Sequence, residues 1–295
     1  MWKIYLSGNK HISFISDIIE SSSNDSIFKD FYYFDRLPST QDFALNLVKR
    51  KKKTSPSVII CDSQTRGRGR KGSTWSSPKG GIWMSLILET RLKREDLYFL
   101  VMISAICICE TIEKETVGIK PDIKWPNDIF VNKKKVAGVL LDVETGPDDG
   151  TNRVVLGIGI NTNNDVNSTI PDTKKNNAAS VSAIMPHYKI TTLKKEFNGV
   201  DISNISFISS LLSGLNIFFS KIIKTGYILE DHVVKSYKER IIRSKDFLPY
   251  TFRNETNVEF EGKIVDVSDD GSLLVKDVQN KKVLRLSSAN NVNME

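Results

Sequence analysis

Histidine and cysteine are scarce in this chain, three of each among 295 residues, and that scarcity removes whole classes of chemistry. His11, His187 and His232 are scattered, with no cysteine or carboxylate at metal-ligand spacing, so no intrinsic metal site is expected. Cys61, Cys107 and Cys109 form no disulfide pattern. The last two sit two apart on an expected helix and point to nearly opposite sides. A reducing compartment, the cytoplasm or an organelle, suits such a set. Long apolar runs are missing too. The most apolar stretch, 97–109, is too short to cross a bilayer and reads as a buried helix. The N-terminus MWKIYLSGNK has no apolar run leading to a small-residue cleavage site, so neither a targeting segment nor membrane association is expected. No G-x-S-x-G elbow, Ser/His/Asp set or Walker A string appears.

What the chain does have is positive charge. A net charge of +7 favours anionic partners, nucleotides and nucleic acid among them, although a solvated basic surface explains it equally well. Lys51, Lys52 and Lys53 end an expected helix, where cations suit the macrodipole. The length accommodates a catalytic domain plus a small appendix, with a core that needs no disulfide or metal.

Residues 1–30 are the least informative and read as an N-terminal extension of unknown role, ending in the polar stretch Glu20 to Ser26. From Phe31 the pattern becomes regular. FYYFDRL reads as a strand, Ser39-Thr40 sits where a helix N-cap belongs, and Phe43, Ala44, Leu47 and Val48 make a core-facing stripe. Strands follow at 58–61 and 82–88, and a long apolar helix at 95–115. Further strands are expected at 122–125, 128–132, 136–144 and 154–161, with Asn132-Lys133-Lys134 as a hairpin turn. The stretch 163–177, rich in Asn, Asp, Thr and Lys, reads as a surface loop. Amphipathic helices are expected at 207–224 and 229–242, and after Pro249 only short strands remain, with Asp269-Asp270-Gly271 as a turn. The fold class is α+β: a catalytic body over 31–245 and a small all-β domain over 246–295.

Four strings carry chemistry. GRGRKG at 67–72 satisfies G-x-G-x-x-G, with Glu89 near the distance of a ribose-binding acid. A dinucleotide site needs a helix opening at those glycines, and Ser73 to Gly81, with Pro78 and two glycines, leaves no room for one. What remains is a loop in which Arg66, Arg68, Arg70, Lys71 and glycine amides suit phosphate or carboxylate oxygens, or else an Arg/Gly patch of the RNA-binding kind. KWPND at 124–128 sets Asn127 and Asp128 at a strand start, within reach of a metal ion or a ribose hydroxyl, or simply in a turn. Lys135 directly precedes the strand Val136-Ala137-Gly138-Val139, where Gly138 leaves room for a ligand to approach. GIGIN at 157–161 clears side chains from one face, with Gly157 and Gly159 as a flat wall and Asn161 as a polar stop. Tight sheet packing would explain that pair as well.

Taken in order, Ser39-Thr40-Gln41, Gln64 followed by GRGR and Trp75, KWPND, Lys135-Val136-Ala137-Gly138 and GIGIN resemble the biotin protein ligase family over roughly residues 32–290. The resemblance implies a class II synthetase-like mixed sheet backed by helices, followed by an SH3-like barrel. It implies ATP, Mg²⁺ and biotin as co-substrate, ion and substrate, and a biotin carboxyl carrier domain of a carboxylase as partner. By position, the family's biotin and adenylate contacts fall on Ser39, Thr40, Gln41, Gln64, Gly67, Arg68, Gly69, Arg70, Trp75, Lys135, Gly138, Gly157 and Asn161. Asn127 and Asp128 fall near the nucleotide and metal, and Arg68, Lys135 and Asp128 are the implied catalytic groups. Position 41 is Gln where many members carry Asn, which the comparison assigns to a turn contact. No DNA-binding helix-turn-helix is evident at the head, so DNA is not an expected partner. Oligomeric state is left open, a homodimer included.

The chemistry so implied brings a carboxylate against an α-phosphate. Two unit negative charges ~4 Å apart repel by roughly 4 kcal/mol at an effective dielectric of 20. Arg68 and Lys135 are expected to converge on that junction, and the Gly-rich 65–75 segment to close over a water-sensitive adenylate. A lipoate or octanoate ligase of the same fold, and a basic RNA-binding protein, are the competing readings.

Overall fold

Successive residues of a strand face opposite sides of its sheet, so burial along each strand shows which side meets the core. The computed structural model describes residues 3–7, 12–20, 25–50, 56–145, 150–166, 189–226, 230–241, 250–253 and 259–286. Its main sheet contains β1 (Lys3–Ser7), β2 (Asp30–Phe34), β3 (Ser57–Cys61), β4 (Ile82–Thr90), β5 (Asp122–Lys124), β6 (Asp128–Val131), β7 (Lys134–Thr145) and β8 (Asn152–Ile160). The spatial order is β1-β2-β3-β4-β8-β7-β6-β5. The first three strands run parallel and all later pairings are antiparallel.

One face of the sheet carries Met84, Leu86 and Leu88 of β4 with Val139, Leu141 and Val143 of β7, all buried against the helices. The helix α3 (Tyr98–Glu115) lies there, preceded by a 3-10 turn at Arg94–Leu97. Every residue from Tyr98 to Cys109 is buried, because α3 is covered by the sheet on one side and by α5 (Asn204–Thr225) and α6 (Glu230–Arg240) on others. By length and hydropathy α5 is apolar enough to cross a membrane, yet Phe207, Leu211, Leu215 and Phe219 are buried in the core.

Residues 1–30, read as an extension of unknown role, add a strand and a helix to the body. β1 pairs with β2 in register from Lys3–Asp30 to Ser7–Phe34, and α1 (Ile12–Glu20) buries Ile15 and Ile18 fully in the main core. Two expectations are corrected. In α2 (Thr40–Lys49) the buried set is Thr40, Gln41, Ala44, Leu45 and Val48, while Phe43 and Leu47 are half-buried. The stripe is rotated by one position because the first turn of α2 is tucked against β4, β7 and β8. The β6–β7 turn has two residues rather than three. Asn132 and Lys133 take φ of 48° and 62°, the left-handed pair of a tight hairpin, and Lys134 already pairs with Val131. Lys135 therefore lies within the strand. His11, His187, Lys51–Lys53, the expected loop from residue 167 onward and residues 254–258 lie outside the described residues.

A second sheet, of order β12-β11-β10-β9, contains β9 (Tyr250–Arg253), β10 (Glu259–Val267), β11 (Leu273–Asp277) and β12 (Val283–Leu286), all antiparallel. It docks on the body through its β10–β11 turn. Gly271 has φ 79°, and a Cβ there would come within 2.9 Å of the Tyr98 ring. The Gly271 carbonyl accepts from Trp125 Nε1 at 3.1 Å.

Candidate functional site

The site lies on the other face of the main sheet, and three cross-strand rows explain its shape. In the first row Gly138 of β7 faces Gly159 of β8, which faces Trp83 of β4. The second row is Leu140, Gly157 and Ser85, and the third is Asp142, Val155 and Ile87. The helix α2 covers the third row through Ala44, Leu45 and Val48. Over the first two rows the glycines leave a hollow, and a cavity of about 360 Å³ opens there. Its size suits one small organic molecule.

Ser39, Thr40, Gln41, Gln64, Arg68, Gly69, Arg70, Trp75, Asn127, Asp128, Lys135, Gly138 and Gly157 all line this cavity. Gly67 and Asn161 do not. Gly67 sits where a Cβ would come within 2.3 Å of the Trp75 carbonyl, so it serves the close folding of its own loop. Asn161 is buried behind the wall, where its carboxamide oxygen accepts from Asn164 Nδ2 at 3.0 Å. The expected contact of Asn161 with a ligand is thus replaced by a structural one. Ser85, Leu140 and Ser73 also line the cavity, and the sequence reading missed them. For Ser85 a signal existed: it is a lone small polar residue inside the apolar strand 82–88.

At one end of the cavity the polar groups form a chain. Ser39 caps α2 by accepting from Asp42 N. Ser85 Oγ lies 2.9 Å from both Thr40 Oγ1 and Gln41 Oε1, Thr40 N and Oγ1 donate to Gln64 Oε1, and Gln64 Nε2 donates to Ser77 Oγ at 2.7 Å. Gln41 is no turn residue. Its amide nitrogen donates to Asp142 Oδ2 at 3.0 Å and to the Val155 carbonyl at 2.9 Å, which fixes Oε1 toward Gly157.

At the other end the groups are charged. Lys135 Nζ lies 2.6 Å from Asp128 Oδ1 and 4.9 Å from the Trp75 ring centre. The indole itself lies over Gly138 and Gly159, where Cβ atoms would come within 3.3 and 2.7 Å of it, and its Nε1 is buried without an acceptor. Asn127 Nδ2 donates to the Val139 carbonyl, and Arg70 Nη1 donates to Asn127 Oδ1 at 2.7 Å. The segment before Asn127 contains a cis Trp125-Pro126 bond. Its Pro126 carbonyl accepts from Tyr98 and Tyr237 hydroxyls at 3.0 and 2.9 Å. Burial pushes both phenols up, so they stay protonated donors. Burial also lowers the Lys124 ammonium, against the opposing pull of Asp128.

The expected convergence of Arg68 with Lys135 is corrected by this geometry. Arg68 Nη1 pairs with Asp42 Oδ1 at 3.1 Å and Asp142 Oδ2 at 3.2 Å. Asp128 stands opposite Gly138, and Asp142 is four residues further along β7, roughly 13 Å at strand rise. The two cations line opposite ends of one cavity. The arginine on the Lys135 side is Arg70, which bonds Asn127 next to the Asp128 that pairs with Lys135.

No group of three or more His, Cys, Asp or Glu side chains that could hold a metal exists among the described residues. Asp128 is already paired with Lys135 and Asn127 is engaged on both amide atoms, so these residues do not build a Mg²⁺ site by themselves.

The model of the biotin/lipoate A/B protein ligase family matches residues 33–161, the stretch that carries the glycine hollow and the basic loop. Over that stretch the chain is similar to the catalytic domain of biotin protein ligases. It is 40% identical over 151 residues to the bifunctional ligase/repressor BirA of Bacillus subtilis, covering 51% of this chain and 45% of that one. It is 34% identical over 113 residues to the chloroplastic biotin–protein ligase 1 of Arabidopsis thaliana, covering 37% and 30%. The chain thus spans less than half the length of these curated relatives. Among solved structures, the biotin protein ligase from Aquifex aeolicus in complex with biotin and ATP aligns with a TM-score of 0.65 at 25% identity, covering 89% of this chain and 97% of that one. A biotin protein ligase-like protein of unknown function from Silicibacter shares the fold at a TM-score of 0.60 and 9% identity, covering 99% and 96%.

Proposed function

We propose that this chain joins biotin to ATP as biotinyl-5'-AMP and passes the biotinyl group to a lysine of a biotin carboxyl carrier domain. The observation that carries this reading is the division of the cavity: Thr40, Gln41, Gln64 and Ser85 hydrogen-bond one another at one end, where Arg68 is held by Asp42 and Asp142, and at the other end Lys135 pairs with Asp128 and Arg70 with the adjacent Asn127. A ligand with a neutral polar ring and a carboxylate tail would seat its ring against Gly157, Ser85 and Gln41. Its carboxylate would lie toward Lys135. Solved relatives with biotin and ATP bound support that choice of ligands.

In the first step a carboxylate oxygen attacks the α-phosphorus and the bond to pyrophosphate breaks. Lys135 and Arg70 would offset the repulsion between the two anions and stabilise charge on the phosphate in the transition state. Mg²⁺ would arrive with the triphosphate. In the second step the carrier's lysine amine attacks the acyl carbon and AMP leaves, with Asp128 the candidate to receive the amine proton. Trp75 and the 65–75 loop would keep water from the mixed anhydride. Buried Cys61, Cys107 and Cys109 accord with a reducing compartment such as the cytoplasm.

Biotin-dependent exchange of labelled pyrophosphate into ATP tests this reading. Exchange that requires biotin and ignores lipoate or octanoate is the expected result. Exchange driven by lipoate, or none with any acid, overturns it.

A further inference from the structure

Two buried tyrosines that do not line the ligand cavity end on a single atom beside it. Tyr98 opens α3 and Tyr237 lies in α6, and they are 3% and 0% exposed. Their hydroxyls, 28 and 111 positions away in sequence, both donate to the Pro126 carbonyl, at 3.0 and 2.9 Å. Packing alone would be met by phenylalanine, which buries the same ring and needs no partner. Two hydroxyls placed on one oxygen occupy both of its lone pairs and fix where it points. That oxygen belongs to the planar peptide joining Pro126 to Asn127, so holding it also sets the orientation of the Asn127 backbone. Asn127 receives Arg70 Nη1 at 2.7 Å, and it binds Val139 through both its carboxamide nitrogen and its backbone carbonyl. Tyr98 meets this group from a second side. With Arg70, Pro126 and Asn127 it borders a void of about 10 Å³, no larger than one water.

We propose that Tyr98 and Tyr237 are positioning residues for the nucleotide end of the cavity: they hold the Pro126–Asn127 peptide so that Asn127 presents its carboxamide oxygen to Arg70. Neither phenol touches a substrate in this role. The shared acceptor is a property of the free chain, whereas the name of the ligand, ATP, rests on the function proposed above. The ring pocket at the other end is anchored differently, through Gln41 to Asp142, Val155 and Ser85 on the central strands. The two ends therefore respond separately: loss of the hydroxyls weakens the nucleotide and spares biotin. One phenol still satisfies the carbonyl after the other is gone. Loss of both leaves a buried acceptor without a partner, which is the costlier case.

Tyr98→Phe, Tyr237→Phe and the double variant test this in the full chain, because phenylalanine keeps both rings, including the one packed against Gly271. Initial rates of biotin-dependent pyrophosphate exchange give the KM for ATP and for biotin separately. Each single variant is expected to raise the KM for ATP about threefold and the double about thirtyfold, more than the product of the singles. The KM for biotin should stay within about twofold of wild type in all three. A role in packing alone would lower the melting temperature without parting the two KM values. A double variant with the wild-type KM for ATP, a KM for biotin that rises as far, or an effect equal to the product of the singles overturns the proposal. If the double variant fails to fold, the singles decide: an unchanged KM for ATP in both, or an equal rise for biotin, rejects it. Melting of the ligand-free chains separates the shared acceptor from the function. The double variant should lose more than the sum of the two single shifts, and additive shifts would sink the proposal on their own. A wild-type chain with no biotin-dependent exchange would refute the function, and the melting cycle would then judge the shared acceptor.

Discussion

Arg70 Nη1 and Asn127 Oδ1 are 2.7 Å apart, a hydrogen bond that ties the basic loop to the segment after the cis Trp125-Pro126 peptide. Asn127 is itself fixed to β7 through the Val139 carbonyl. Arg70 therefore closes the loop at the charged end of the cavity. Arg70→Gly removes both that tie and the cation beside the proposed phosphate. The expected outcome is an adenylate that escapes and labels lysines indiscriminately, with off-target biotin on added albumin raised tenfold or more. Labelling confined to the carrier would show that the loop is not the gate.

Lys135 and Asp128 form the closest ion pair at the site, 2.6 Å apart with both side chains mostly buried. Lys135→Ala removes the charge that offsets anion–anion repulsion and leaves β7 hydrogen bonding untouched. Pyrophosphate release is expected to fall about a hundredfold or more, the usual scale for one electrostatic contact to a transition state. Folding should persist, as circular dichroism would register. Normal pyrophosphate release by that variant would remove Lys135 from the chemistry.

The two glycines of β8 make a contrasting pair. A Cβ at Gly157 would lie 2.6 Å from Gln41 Oε1, and Gln41 is held by three hydrogen bonds. A Cβ at Gly159 would lie 2.7 Å from Trp75 Nε1, and Trp75 belongs to the loop. Gly157→Ala is expected to cost about 1–3 kcal/mol of stability by overpacking, and to raise the KM for biotin. Gly159→Ala should leave the melting temperature nearly unchanged and lower adenylation, because the loop can shift to make room. Equal melting temperatures for the two variants would contradict this division.

Most of the body and its motifs were legible because they rest on local signals: alternation in 82–88, the Ser39 cap, and paired glycines at 157 and 159. What was not legible depends on partners far away in sequence. Gln41 reads as a turn residue until Asp142 and Val155, over a hundred positions on, are brought to it. Arg68 and Arg70 are indistinguishable in the string GRGR. Only the register of β7, which separates Asp142 from Gly138, assigns one to each end of the cavity. The N-terminal strand failed for another reason. KIYLS is short, and its edge position leaves Ile4 and Tyr5 exposed, so its apolar residues do not alternate as a core strand's would.

Lys135 also depends on a brace that the chemistry never touches. Its backbone N–H donates to the Lys189 carbonyl at 2.9 Å, and its carbonyl accepts from Thr191 N at 3.0 Å. Thr191 is fixed in turn by Glu196, whose carboxylate accepts from Thr191 Oγ1 at 2.6 Å, Lys134 Nζ at 2.8 Å and Asn132 Nδ2 at 2.8 Å. Burial pushes the Glu196 carboxyl up, but these three donors and the Lys134 charge outweigh it and hold it below its ordinary 4.5. A depressed folded value contributes stability that is fully present above 4.5 and is lost as pH falls through the lower folded value. Glu196→Gln should therefore cost about 1–2 kcal/mol at neutral pH, the scale of hydrogen bonds to a charged group. The gap between wild type and variant should narrow steadily below pH 4.5 as the wild-type carboxylate takes up a proton. Urea denaturation at pH 7, 5, 4 and 3 measures it. A gap that is constant with pH, or that widens in acid, would mean that the ionised carboxylate is not what braces the hairpin carrying Lys135.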